Sequence, residues 1–166
     1  MFLWFVGGSI LAVWLVFRDP AIDYRVVALG AVLPDVVDGL LGGAAALHSV
    51  VTAIAVLVVV MLATIGRRAT RRRWLGLPIG MFLHLVLDGA FADTDAFWWP
   101  LTGLSVGDAP LPSLERGLWN VALELVGLAI CVWWWRRFHL ADPTRRTYFL
   151  RTGRVVVGAA PAPPSC

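Results

Sequence analysis

An imidazole and a carboxylate stand four residues apart in an otherwise apolar stretch, Gly80-Met-Phe-Leu-His-Leu-Val-Leu-Asp-Gly89. On a helix, His84 and Asp88 project from one face, one turn apart. Comparable groups recur in other apolar runs: Asp35 and Asp38 three apart, His48 alone, and Asn120 and Glu124 four apart. Two histidines with several carboxylates form a donor set suited to zinc, manganese or a related divalent ion. An ion held by His48, His84, Asp88 and one of Asp35 and Asp38 would lower the pKa of a bound water. A spare carboxylate, Asp38 or Glu124, would then serve as general base. That is hydrolase chemistry with no Ser or Cys nucleophile. Ser49 follows His48 directly, but adjacent residues on a helix point apart. Each group also has a plainer role: a histidine bonding between helices, aspartates capping helix fragments around Pro34, an Asn120–Glu124 clamp. Their joint occurrence would need a separate structural reason for each.

These groups must be positioned by helices that are themselves apolar. The chain has 166 residues, enough for one domain, and 59% of them are hydrophobic. Mean hydropathy is +0.77, too high for an ordinary soluble domain of this size. The expected fold is all-α, a polytopic helical membrane protein of about five transmembrane helices. Four helices plus a re-entrant or Pro-broken one is the alternative. The formal charge is +3, and all fourteen basic residues are Arg. The two cysteines, Cys131 and Cys166, belong to no metal or redox motif.

In chain order, Met1–Phe17 is the first apolar run, read as a retained helix and closed by Arg18-Asp19-Pro20. Tyr24–Leu41 is the second, with Pro34 expected to break or kink it beside Asp35 and Asp38. Gly39, Gly42 and Gly43 make a loose connection. Ala44–Ile65 is the third run, Trp74–Phe91 the fourth and Gly117–Phe138 the fifth. Between the third and fourth lie Arg67, Arg68, Arg71, Arg72 and Arg73. By the positive-inside rule this loop is cytoplasmic, which is favoured over a nucleic-acid patch. Trp133–Trp135 reads as an interfacial belt. The segment from His139 onward, residues 139–166, reads as a cytoplasmic, partly disordered tail after a single transmembrane domain over residues 1–138.

Fixing the Arg67–Arg73 loop inside places every other span. Asp93, Asp95, Asp108 and Glu115 fall outside, and Arg136 and Arg137 inside. Asp35, Asp38, His48, His84, Asp88, Asn120 and Glu124 then share the outer half of the bilayer, one buried polar site opening outward.

The order Leu33-Pro34-Asp35-x-x-Asp38, Leu47-His48-Ser49, Gly80-x-x-x-His84-Leu-x-Leu-Asp88 and Trp98-Trp99-Pro100 resembles the YdjM-like predicted membrane-bound metal-dependent hydrolases. The resemblance covers roughly residues 27–100. It implies a multi-span helical protein of a bacterial or archaeal inner membrane. It also implies a divalent metal on Asp35, Asp38, His48, His84 and Asp88 and a hydrolase activity; a site opening at the outer leaflet points to a lipid-linked or membrane-proximal ester or phosphoester as substrate. The second Asp comes one residue later here than in many members, and Gly43 stands where many carry a further His. Two other readings compete. Asp35-Val-Val-Asp38-Gly39 opens like the CDP-alcohol phosphotransferase signature, but its later aspartates are absent. A non-enzymatic transporter or ion-binding membrane protein would use the same buried carboxylates as a cation path.

Overall fold

A computed structural model describes residues 1–41, 46–92, 94–103 and 117–158. The expectations placed on Gly42, Gly43, Asp93, Asp108, Glu115, Cys166 and the Pro-rich terminus lie outside the described residues. Every regular element described is helical, so the fold is all-α. The chain runs α1 Leu3–Phe17, α2 Tyr24–Leu41, a 3-10 turn Ala46–His48, α3 Val50–Ala63, α4 Arg68–Trp74 and α5 Gly76–Asp88. A second 3-10 turn Ala90–Ala92 follows, then α6 Thr94–Phe97, α7 Trp119–Arg137 and α8 Pro143–Thr152.

Among the described residues no helix is long and apolar enough to cross a membrane. The first, third and fourth runs yield the helices α1, α3 and α5 of 15, 14 and 13 residues. At about 1.5 Å per residue these reach roughly 20 Å. The longer α2 and α7 carry charge instead: Arg25, Asp35 and Asp38 on one, Glu124, Arg136 and Arg137 on the other. The fourth run is not continuous either, since α4 ends at Trp74 and α5 starts at Gly76.

Pro34 does not end α2. The helix runs through it to Leu41, so the re-entrant form of this segment does not arise. Pro34 withholds only its own N–H from the turn before it, and packing against α5 holds the rest. That packing is unusually close. A Cβ on Gly30 would lie 2.2 Å from the Leu77 carbonyl oxygen, and one on Gly80 would lie 2.2 Å from that of Val27. Only glycine at these two places lets the backbones meet, as in close helix pairs generally. α1 and α7 cross in the same manner at Gly7 and Gly127.

The main core joins Ile10 and Val13 of α1, Tyr24 and Val27 of α2, and Trp134 and Phe138 from the end of α7. Trp14 meets Phe138 edge-on, with ring centroids 4.8 Å apart. Trp134 is therefore core, and only its neighbours Trp133 and Trp135 are exposed. The segment after His139 is not a loose tail over its described length. Asp142 caps α8 by accepting the Thr144 N–H, and Leu140 and Val155 are buried in this same core. A smaller core of Val50, Ala53, Met81 and Leu85 joins α3 to α5.

Candidate metal centre

Three electron-rich atoms converge at one end of the bundle. Asp35 Oδ1 lies 3.5 Å from His48 Nε2 and 3.5 Å from His84 Nε2, and the two Nε2 atoms are 3.3 Å apart. The histidines are buried, and the Asp35 side chain is 7% exposed. Each comes from a different element: Asp35 from α2, His48 from the 3-10 turn before α3, and His84 from α5.

The tautomer of each imidazole follows from the partner of its other nitrogen. His84 Nδ1 is 2.8 Å from the Ala31 carbonyl. A carbonyl only accepts, so Nδ1 carries the proton and Nε2 presents a lone pair. His48 Nδ1 is 2.8 Å from Asp38 Oδ2, which fixes the same tautomer. Asp38 is wholly buried and also accepts the backbone N–H groups of Leu47 and His48 at 3.1 Å. Phe5 lies against the His84 ring with centroids 4.1 Å apart. With both imidazoles neutral, two nitrogen lone pairs and a carboxylate oxygen face one another. Asp35 Oδ1 makes no hydrogen bond. Such a grouping is repulsive until a cation enters it.

The spacing fits a metal. A point equidistant from three atoms about 3.4 Å apart lies about 2.0 Å from each, the bond length of zinc to imidazole nitrogen or carboxylate oxygen. Asp35, His48 and His84 can therefore hold a metal ion.

The other residues singled out from the sequence take different places. Asp88 is buried on the same face of α5 as His84, with Oδ2 3.9 Å from His48 Nε2, beside the triangle but not part of it. Asp38 lies behind His48, on the Nδ1 side of its ring, and is not one of the three grouped residues. Glu124, the other candidate base, accepts the N–H groups of Phe2 and Leu3 and so caps α1. Its Oε1 and Asp35 Oδ2 each lie 4.0 Å from the Met1 amino nitrogen. Asn120 sits a turn before Glu124, near the start of α7. Ser49 caps α3 through the Val51 N–H, and its hydroxyl bonds the carbonyls of Phe97 and Trp99, tying the segment after α6 to the His48 turn. Phe5 and the Ala31 carbonyl were not among the sequence candidates. Nothing in the sequence singled out the Ala31 carbonyl, because a proline at 34 frees the carbonyl four residues earlier, that of Gly30.

No family model matches the chain, and no curated protein and no solved structure matches it.

Proposed function

We propose that this protein is a bilayer-embedded, metal-dependent hydrolase of the YdjM-like kind, with a divalent ion, zinc or manganese, held by Asp35, His48 and His84. The observation that carries the reading is the triangle of two Nε2 lone pairs and one carboxylate oxygen, all within 3.5 Å of one another. When bound, such an ion supplies Lewis acidity that lowers the pKa of a coordinated water. The protein supplies the rest. Asp38 and the Ala31 carbonyl take the Nδ1–H of the two rings and so aim both Nε2 atoms inward. Phe5 excludes water from one face of His84. Asp88, 3.9 Å from His48 Nε2, is the carboxylate placed to take a proton at the edge of the site.

Embedding in a membrane is supported by the outer surface. Leu15, Val16 and Phe17 on α1, Val59 and Leu62 on α3, and Leu125 on α7 are all exposed. Large apolar side chains exposed on three helices are what contact with lipid or with another protein would cover. Short helices are accommodated by local bilayer thinning and by flanking Arg side chains that reach the interface. In this reading the site faces the outer leaflet of a bacterial or archaeal inner membrane, the C-terminal segment is cytoplasmic, and the substrate is a lipid-linked or membrane-proximal ester or phosphoester. The same triangle would serve a non-catalytic ion-binding protein.

Metal analysis of the purified protein beside Asp35→Asn and His84→Ala tests the site. Equal trace metal in all three would end the metal reading. A screen of generic phosphoester and ester substrates on the zinc- and manganese-loaded protein then separates enzyme from binder. Reporter fusions after Ala69 and Thr102 test orientation, and a cytoplasmic signal after Thr102 would overturn the outward-facing site.

A further inference from the structure

The end of the bundle opposite the metal centre carries a different feature. A cleft of about 250 Å³ opens between the start of α2, α4 and the end of α8. Arg25, Arg73, Arg151 and Arg154 line it, with Asp23 as the one carboxylate in its wall. Four guanidiniums against one carboxylate leave the lining three positive charges in excess.

The base of the cleft is rigid. Asp23 is 2% exposed, and its Oδ2 lies 2.9 Å from Arg25 Nη2 and 3.1 Å from Arg73 Nε. Arg25 also donates to the Leu150 carbonyl, which fastens α8 to α2. The Tyr24 N–H donates to the Gly153 carbonyl at 2.9 Å. Gly153 has φ +71°, and a Cβ there would strike Asp23 Oδ1, so this close approach is open to glycine alone. It sets Arg151 and Arg154 on the far wall, both exposed and making no side-chain hydrogen bond or ion pair among the described residues. Asp23 thus occupies the two inner guanidiniums and the outer two are available.

We propose that this cleft binds a phosphate group, as the free anion or as the headgroup of an anionic phospholipid. Guanidinium forks match phosphate oxygens bidentately. The cleft is smaller than the roughly 300–1,000 Å³ of sites for whole small-molecule ligands, so it takes a phosphate with a few attached atoms and not a nucleotide. The site is independent of the metal reading, since it shares no residue with the triangle.

The test is titration calorimetry of the full chain in neutral detergent, at about 150 mM salt so that bulk screening acts over about 8 Å. The probes are inorganic phosphate and dihexanoyl phosphatidic acid. The Arg151→Gln/Arg154→Gln double variant alters only exposed side chains. Arg136→Gln/Arg137→Gln removes the same charge outside the cleft. Both probes should bind the wild type saturably, roughly tenfold or more weakly in the cleft variant, and within about twofold of wild type in the control. Equal affinity for the two probes identifies the anion as the ligand, and much tighter binding of phosphatidic acid identifies the lipid headgroup. Absence of saturable binding of either probe, or equal weakening in the control variant, overturns the proposal.

Discussion

Replacing Asp38 by Asn removes one charge and leaves the side chain's shape nearly unchanged. In the native site Asp38 Oδ2 accepts three N–H groups: Leu47 and His48 of the backbone and Nδ1 of the His48 ring. Asn offers two orientations. With its NH₂ toward His48, Nδ1 must become the acceptor, and the ring proton moves to Nε2, into the triangle with Asp35 and His84. With its oxygen toward His48 the tautomer survives, but the NH₂ replaces Oδ1, which now accepts the Leu47 N–H at 3.3 Å. In both orientations the charge-assisted bond at 2.8 Å becomes a neutral one or is lost. Loss of a carboxylate behind a metal-binding histidine typically lowers metal affinity about 10–100-fold, which is about 1.4–2.7 kcal/mol. Zinc affinity is read by competition with a chromophoric chelator, and the tautomer by ¹⁵N resonance of the labelled imidazoles. If Asp38→Asn binds zinc within about twofold of wild type, the positioning role is refuted. A weakened variant whose His48 keeps an unprotonated Nε2 would show that the lost charge matters and the tautomer does not.

Other outcomes follow from the same geometry. Asp88→Asn should keep its metal, because the triangle is intact without it, while losing turnover of any substrate found, as metal analysis beside activity would show. Glu124→Ala should lower stability by about 0.5–2 kcal/mol through the lost cap on α1, with activity retained per folded molecule; loss of activity without loss of stability would return Glu124 to the chemistry. Gly80→Ala drives a Cβ against the Val27 carbonyl and should cost about 1–3 kcal/mol in thermal denaturation, with metal affinity falling in step. Asp19 lies in the turn between α1 and α2. Burial pushes its carboxyl up, but the Ala21 N–H and the Arg72 guanidinium outweigh this and hold it below its ordinary 3.8. A carboxyl lowered on folding stabilises above its unfolded pKa, and that contribution disappears as pH falls through the folded value. Arg72→Gln should therefore flatten the acid limb of the melting-temperature profile below about pH 4.

Much of the site was legible in the sequence because helical spacing is local. His84 and Asp88 share a face of α5 as four-residue spacing requires, and both are buried. The polar groups of α2, of the turn before α3 and of α5 do gather at one end of the bundle. The division of labour was not legible. Asp35 and Asp38 look equivalent in sequence, and which one faces His84 depends on how α2 is rotated against α5. That rotation is set by Gly30 and Gly80, whose bare Cα atoms read as ordinary small residues until the two backbones are seen together. Glu124 reads as a candidate base because it is a spare carboxylate at the depth of the two histidines. Its partners are backbone N–H groups of Phe2 and Leu3, more than a hundred residues earlier, and backbone donors leave no mark in a sequence. The segment after His139 read as a tail on its polarity, although Leu140 and Val155 are enough to seat it in the core.

The α2–α5 contact gives the metal centre its particular logic. Pro34 withdraws one N–H from α2 in the turn where Gly30 lets α5 come within touching distance, and the Ala31 carbonyl of that turn receives the His84 Nδ1–H. The helix breaker expected to end α2 therefore stands beside the carbonyl that aims His84, while the helix continues to deliver Asp35 one residue later. The glycines that permit this close packing are then as much a part of the site as the residues that could hold the ion. Their effect is transmitted wholly through backbone position. Two histidines and one aspartate are a sparse motif, and what fits them to hold a metal here is that each imidazole has its Nδ1 proton committed elsewhere before any ion arrives.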